Sequence, residues 1–252
     1  VINGDAPWHK RLLELAACQV LTYAEQAPAD LRAENVSLSA AGVAFDAVTK
    51  SERQAIFVGI PGGFMVYNTL DVLAAALALG IPLKDSAAAL RQSRHVKGRV
   101  EVVPLPGAEY TVLIDYAHTP DAVENVLRSV RGFAKGRVVA LLGCGGDRDK
   151  TKRPKMGAAA AALADLVIVT SDNPRTEDPR GIIQDILAGM YRSQTPHIVV
   201  EDRAAAIVYA MDQAQKDDVI VLMGKGHETY QIVGAEKRHL DEREIVAAHW
   251  KQ

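Results

Sequence analysis

Leu166-Val167-Ile168-Val169-Thr170-Ser171-Asp172-Asn173-Pro174-Arg175 is the stretch on which the fold turns. Its apolar half has no polar alternation, so it reads as a strand buried on both faces, as in a parallel sheet covered by helices. The strand runs through Thr170-Ser171 into a carboxylate, an amide, a rigid proline and a guanidinium. The carboxylate and amide oxygens can hold an ammonium group, and the Arg fork can grip a carboxylate in bidentate fashion. Together they suit a zwitterion such as an amino-acid head group. Taken alone, the same residues suit a capped turn into the next helix equally well.

Working outward, the chain from residue 100 onward alternates regularly. Strand-like runs fall at 100–103, 110–114, 137–142, 166–170, 197–200 and 218–222, with helical patterns between most of them. The segment 120–131 places Val123, Val126, Leu127 and Val130 on one helical face. Thr119 can cap it with Pro120 in the first turn, and Asp178-Pro179 repeats the device before a helix at 179–190. Residues 242–250 read as a closing helix. Such alternation predicts an α/β domain with a mostly parallel sheet covered on both faces. The first 97 residues have a different texture. A helix is expected at 9–17, strands at 19–23, 34–38, 43–48 and 55–60, and helices at 67–79 and 83–93. Ser39-Ala40-Ala41-Gly42 reads as a hairpin turn, and Gly80 and Pro82 separate the two helices. The polar, basic run 93–99 is the expected domain boundary.

Composition excludes several classes. A formal charge of −2 gives no electrostatic footprint for nucleic acid, and 5% aromatic residues make a poor base-stacking platform. Cys18 and Cys144 stand far apart without metal-ligand spacing, which points to a reducing cytosol and no structural zinc. No apolar stretch approaches the ~20 residues of a membrane span. The first residue is Val1 and no signal peptide follows it, so the chain is expected to begin partway through a longer protein.

In open α/β sheets, ligands bind beyond the carboxyl ends of the strands. Four loops there collect glycines and charges: Asp115-Tyr116-Ala117-His118-Thr119-Pro120-Asp121, Gly143-Cys144-Gly145-Gly146-Asp147-Arg148-Asp149-Lys150, the stretch Asp172–Arg175, and Gly224-Lys225-Gly226-His227-Glu228. Four such loops on one rim predict a binding crevice. Each residue also has a plainer reading. Asp115 can accept backbone N–H groups in its own turn, His118 can be an exposed residue at a helix start, and Glu228 an ordinary surface acid. The Gly143–Gly146 segment lacks Gly-x-Gly-x-x-Gly spacing, and the next helix is expected only after Lys152-Arg153-Pro154, so a dinucleotide site is disfavoured. Its amides beside Arg148 suit an anion instead. Gly224-Lys225-Gly226 is like a piece of a P-loop, but Gly-x-x-x-x-Gly-Lys-Ser/Thr occurs nowhere in the chain.

The order of these loops, preceded by Gly98-Arg99-Val100-Glu101 and with Lys150-Thr151-Lys152-Arg153-Pro154 closing the second, resembles the Mur ligases. The motifs cover residues 98–228, and residues 1–97 look like the back half of that family's central domain. The resemblance implies a Rossmann-like C-terminal domain at 98–252 that receives an amino acid, behind a partial α/β central domain. The family's full chains have three domains. They pass the ATP γ-phosphate to a substrate carboxylate with Mg2+, and the amine of the amino acid attacks the acyl phosphate. Asp-Asn-Pro-Arg implies the branch that adds meso-diaminopimelate to a UDP-N-acetylmuramoyl dipeptide, in peptidoglycan precursor synthesis. By motif, Arg148, Asp172, Asn173, Arg175, Gly224 and Glu228 would bind diaminopimelate. Arg148 and Arg175 would take its carboxylate, and Asp172 with Glu228 its distal ammonium. Arg99, Asp115 and His118 would face ATP, Arg99 near the phosphates and Asp115 near the ribose. Asn68 would face the adenine. No catalytic residue and no metal ligand is assigned within this chain.

The physics agrees with that implication. Diaminopimelate differs from lysine by one carboxylate, and an Arg left without it strands its donors, so lysine should be rejected. Two departures stand out. The P-loop, the magnesium ligands and the UDP-binding domain do not appear, and Phe64-Met65-Val66-Tyr67-Asn68 has Met65 where the family has a first Asn. The expectation is therefore the C-terminal half of a cytoplasmic, monomeric ligase, with no nucleic-acid or membrane partner and inactive by itself. The alternative is a non-catalytic amino-acid-binding module on the same fold, which the retained Arg99 and Asp115 disfavour.

Overall fold

The computed structural model describes residues 1–93 and 96–251. Within the boundary expected at 93–99, Arg94 and His95 lie outside the described residues. The chain divides into two compact units, Val1–Arg94 and His95–Gln252.

The first unit runs β1 (Ile2–Asn3), α1 (His9–Leu15), β2 (Thr22–Ala24), β3 (Leu31–Ser39), β4 (Gly42–Val48), β5 (Arg53–Val58), α2 (Phe64–Ala78) and α3 (Leu83–Arg91). Its five strands lie side by side in chain order. The first three are parallel and the last two join by antiparallel pairing. The strand expected at 19–23 sits later, because pairing of Thr22 with Ile2 and of Tyr23 with Leu31 sets its register. The predicted turn closes at Ser39 opposite Gly42, whose φ of +138° suits glycine. Leu31, Val43, Phe45, Ile56 and Val58 on the sheet bury against Val66, Leu70, Leu73 and Leu83 on α2 and α3.

The second unit runs β6 (Glu101–Val103), β7 (Thr111–Asp115), α4 (Pro120–Arg131), β8 (Val138–Leu142), α5 (Lys152–Leu163), β9 (Leu166–Val169), α6 (Pro179–Ala188), β10 (His197–Val199), α7 (Arg203–Asp212), β11 (Val219–Met223), a hairpin β12 (Tyr230–Val233) and β13 (Glu236–His239), and α8 (Glu242–Trp250). The sheet order is β10-β9-β8-β11-β7-β6, parallel except for β6 at the edge. Side chains of period two sort onto opposite faces. Leu113, Val138, Ala140, Leu142, Val167, Val169, Val219 and Val221 pack with α4, α5 and α6. Val112, Ile114, Val139, Leu141, Ile168, Ile220 and Leu222 pack with α7 and α8. Each buried Val, Leu or Ile contributes about 1.5–3 kcal/mol relative to exposure, so both faces are firmly covered.

The helix starts follow their caps. Thr119 Oγ1 accepts from Ala122 N, Asp178 from Arg180 N, Asp202 from Ala205 N and Asp241 from Arg243 N. One expectation fails: α5 starts at Lys152, not after Pro154. A proline in the first turn removes an N–H that has no helical partner there, so it does not delay the helix. The β12–β13 hairpin was not expected, although Gly234-Ala235 between strand formers is a two-residue turn signal. No described helix is long and apolar enough to cross a membrane.

Candidate functional site

The parallel strands of the second unit carry their chain direction to one rim, and the loops after β8, β9 and β11 bond to one another there. Gly146 N donates to Asn173 O, Asp147 accepts from Thr176 N and Oγ1, and Glu177 accepts from Asp147 N. A Cβ on Gly146 would overlap the Pro174 carbonyl, so the two loops pack backbone to backbone. Arg153, 1% exposed, reaches up from α5 and binds Glu177, Asp185 and the Gly145 carbonyl. Bonds from Arg153, Asp147 N and Lys150 hold the Glu177 carboxyl down at about 2. From the other face, fully buried Arg203 pairs with Glu242 and donates to the carbonyls of Met223 and Ser171. That guanidinium ties the end of β11 to the end of β9.

Asp172 and Asn173 are buried, and Arg175 has φ +51°. A non-glycine residue there costs about 1–3 kcal/mol and persists only where its surroundings impose it. The β12–β13 hairpin does so: Arg175 N donates to Ile232 O at 3.0 Å, and Gly234 N to Arg175 O at 2.7 Å. The same hairpin binds Asn173 Oδ1 through Ile232 N and the Asp172 carbonyl through Gln231 Nε2. The Arg175 guanidinium donates to the Gly146 carbonyl at 2.8 Å. Among the described residues no carboxylate pairs with it, nor with the exposed Arg148. Two guanidinium groups are thus free for an anion.

The two expected ammonium acceptors, Asp172 and Glu228, already share a cation of this chain. Lys225, with no exposed surface, places Nζ 3.5 Å from Asp172 Oδ1, 3.3 Å from Asn173 Oδ1 and 3.1 Å from Glu228 Oε2. Asn173 Nδ2 also donates to Glu228 Oε2. Glu228 is therefore part of a bonded network, not an ordinary surface acid. Gly224, φ +112°, lies so near that a Cβ would come within 2.8 Å of Asp172 Oδ2. Below this floor, burial pushes the Cys144 thiol up to about 12, so it packs and is not a nucleophile.

The loop after β7 forms a second, more open cluster. The carboxylate of Asp115 is buried and accepts from Val100 N and Ala117 N, one on each oxygen. Burial raises its proton affinity against those bonds and the nearby Arg99. Its plain reading as a turn-organising group is what the geometry delivers. The exposed Arg99 and His118 flank the Tyr116 ring, the guanidinium 5.3 Å from its centroid and the imidazole ring at 4.6 Å. His227 from the β11 loop stacks on the same ring at 5.0 Å. Asn68 lies exposed on α2 of the first unit, where its amide reaches Met65 Sδ at 3.8 Å.

Sequence reasoning missed Lys225, Tyr116, His227 and the hairpin as site elements. Tyr116 and His227 stood inside quoted motifs, but their stacking joins loops separated by more than a hundred residues. No group of three or more His, Cys, Asp or Glu side chains able to hold a metal ion occurs among the described residues.

Residues 98–226 match the family description "Mur ligase, glutamate ligase domain", and residues 1–76 match "Mur ligase middle domain". The UDP-N-acetylmuramoyl-L-alanyl-D-glutamate–2,6-diaminopimelate ligase of Clostridium botulinum is 47% identical over 247 residues, 98% of this chain and 51% of that protein. The enzyme of the same name from Clostridioides difficile is 48% identical over 249 residues, again 98% and 51%. A solved structure of a ligase of that name superposes with a TM-score of 0.78 at 34% identity, covering 99% of this chain and 52% of the other. The chain spans about half the length of the curated relatives it matches. With both of its units matched in order, the chain belongs to the Mur ligase family.

Proposed function

We propose that this chain is the amino-acid-receiving part of an ATP-dependent, amide-forming ligase that adds meso-diaminopimelate to UDP-N-acetylmuramoyl-L-alanyl-D-glutamate, in peptidoglycan precursor synthesis. The observation that carries the reading is the pair of unpaired guanidinium groups, Arg175 and Arg148, beside the carboxylates of Asp172 and Glu228 on one rim. Arg175 takes the distal carboxylate of the ligand, with Arg148 adding charge from the rim, while Asp172, Asn173 and Glu228 face its ammonium. Gly224 keeps the floor open beside Asp172. The high identity to relatives named as diaminopimelate ligases supports the same substrate.

In this reading residues 1–97 are part of the central domain and 98–252 the amino-acid-binding domain. ATP, when bound, activates the acceptor carboxylate. The second unit's contribution is the exposed Arg99 and His118 beside Tyr116; the first unit, taken by itself, offers the exposed Asn68 as an adenine-facing residue. Asp115 fixes their loop and faces the ribose, each of its oxygens keeping a lone pair beyond the one backbone bond it accepts. Magnesium fits no cluster of the described side chains, and no role for it is assigned to them. The protein is expected to work as a cytoplasmic monomer on soluble substrates.

Calorimetric titration tests the substrate. Meso-diaminopimelate should bind, lysine at least about 100-fold more weakly, because it leaves Arg175 without its partner. Equal heats for the two ligands would remove the assignment. A second arm tests activity: with no P-loop in its sequence, the chain alone should release no phosphate from ATP when the dipeptide substrate is added.

A further inference from the structure

The Lys225 ammonium sits, fully buried, among the oxygens that the proposed function reserves for a ligand's ammonium. We infer that Lys225 is a specificity-determining positioning residue that sets the charge balance of the site. The inference rests on the reading of this rim as a diaminopimelate site. Lys225 engages Asp172 Oδ1 and Glu228 Oε2. Asp172 Oδ2 and Glu228 Oε1 accept no bond among the described residues, so each carboxylate keeps one oxygen turned to a ligand. Burial and the Asn173 side-chain oxygen Oδ1 hold the ammonium in place, so both acids are aimed before any ligand arrives.

On the floor of the site the formal charges then cancel, Asp172 and Glu228 against Lys225 and Arg175, while Arg148 stands exposed at the rim where water screens it. The distal end of diaminopimelate is likewise neutral, one carboxylate and one ammonium. The distal end of lysine carries a bare positive charge, which a neutral site does not reward. Without Lys225 that floor would be net negative and would favour that cation. Arg175 thus recognises the extra carboxylate, and Lys225 denies lysine an electrostatic advantage.

The experiment measures the ratio of diaminopimelate to lysine affinity by calorimetry for the 252-residue chain, with folding followed by circular dichroism. Lys225→Met should move the ratio about tenfold toward lysine, the scale of one charge interaction near a protein surface. A merely structural role would weaken both ligands together and leave the ratio alone. Because Lys225→Met strands two acids and can fail to fold, the same change is also made on Glu228→Gln, which removes one of them. There too it should shift the ratio toward lysine by about the same factor. A ratio unchanged within about twofold in every folded background overturns the inference while the wild-type preference keeps the proposed function standing. A wild-type chain that binds neither ligand overturns the function, and the inference with it.

Discussion

The two ends of the second unit's sheet use charge in opposite ways. At the amino-terminal end, the Asp218 side chain is 1% exposed and entirely occupied: Arg137 grips it through Nε, the terminal nitrogen and its backbone N–H, and Gln215 N adds another bond. At the carboxyl end, among the described residues, the Arg175 guanidinium makes one bond, to a carbonyl, and that of Arg148 none, although the backbone around them is dense with hydrogen bonds. Arg137 and Asp218 complete their bonding inside the fold, away from the rim, and belong to stability. A charge held rigidly and left unmatched is available to something else.

The contrast can be broken by substitution. Arg175→Ala should lower diaminopimelate affinity by about 100-fold, or ~2.7 kcal/mol. Its melting temperature should barely move, since the fold loses only the bond to Gly146; a large drop in stability would place Arg175 with Asp218. Asp218→Ala should do the reverse. Urea unfolding should show a loss of about 2 kcal/mol, reduced from a fully buried pair because Arg137 is partly exposed. Ligand affinity of the folded protein should be unchanged.

A pH titration sharpens the same division. Glu177 is held at about 2, below its ordinary 4.5, so its contribution is complete above pH 4.5 and is lost as pH falls toward 2. Glu177→Gln should flatten the stability profile in that window, read by chemical denaturation at successive pH values. A profile as steep as wild type would mean that the staple between the β8 and β9 loops is not what acid breaks. The smallest effect belongs to Arg148→Ala. This exposed group should change affinity only about two- to fivefold, with the difference fading at high salt. A salt-independent loss would show it engaged as directly as Arg175.

Much of the second unit was legible in the chain. The strand-like runs expected at 137–142, 166–170 and 218–222 form parallel strands at 138–142, 166–169 and 219–223, and Thr119-Pro120 and Asp178-Pro179 mark helix starts that the structure places at Pro120 and Pro179. The helix expected only after Lys152-Arg153-Pro154 begins at Lys152, since a proline in the first turn gives up no helical hydrogen bond. The site was only half legible. Its residue types could be named, but not that each Asp115 oxygen also accepts a backbone amide. The Lys225 network was invisible, since Gly224-Lys225-Gly226 reads as a fragment of a P-loop and Asp172 stands 53 positions away.

What the amino-acid order determined by itself was everything that depends on neighbours a few residues apart: periodicity, caps, turns, and the gathering of glycines and charges after successive strands. Only the tertiary structure decided which of those charges are paired. Lys225 and Asp172 stand 53 positions apart, and Arg203 and Glu242 stand 39. Electrostatic pairing acts through space over a few ångströms, and the chain separation between partners carries no information about that distance until the sheet has ordered its strands.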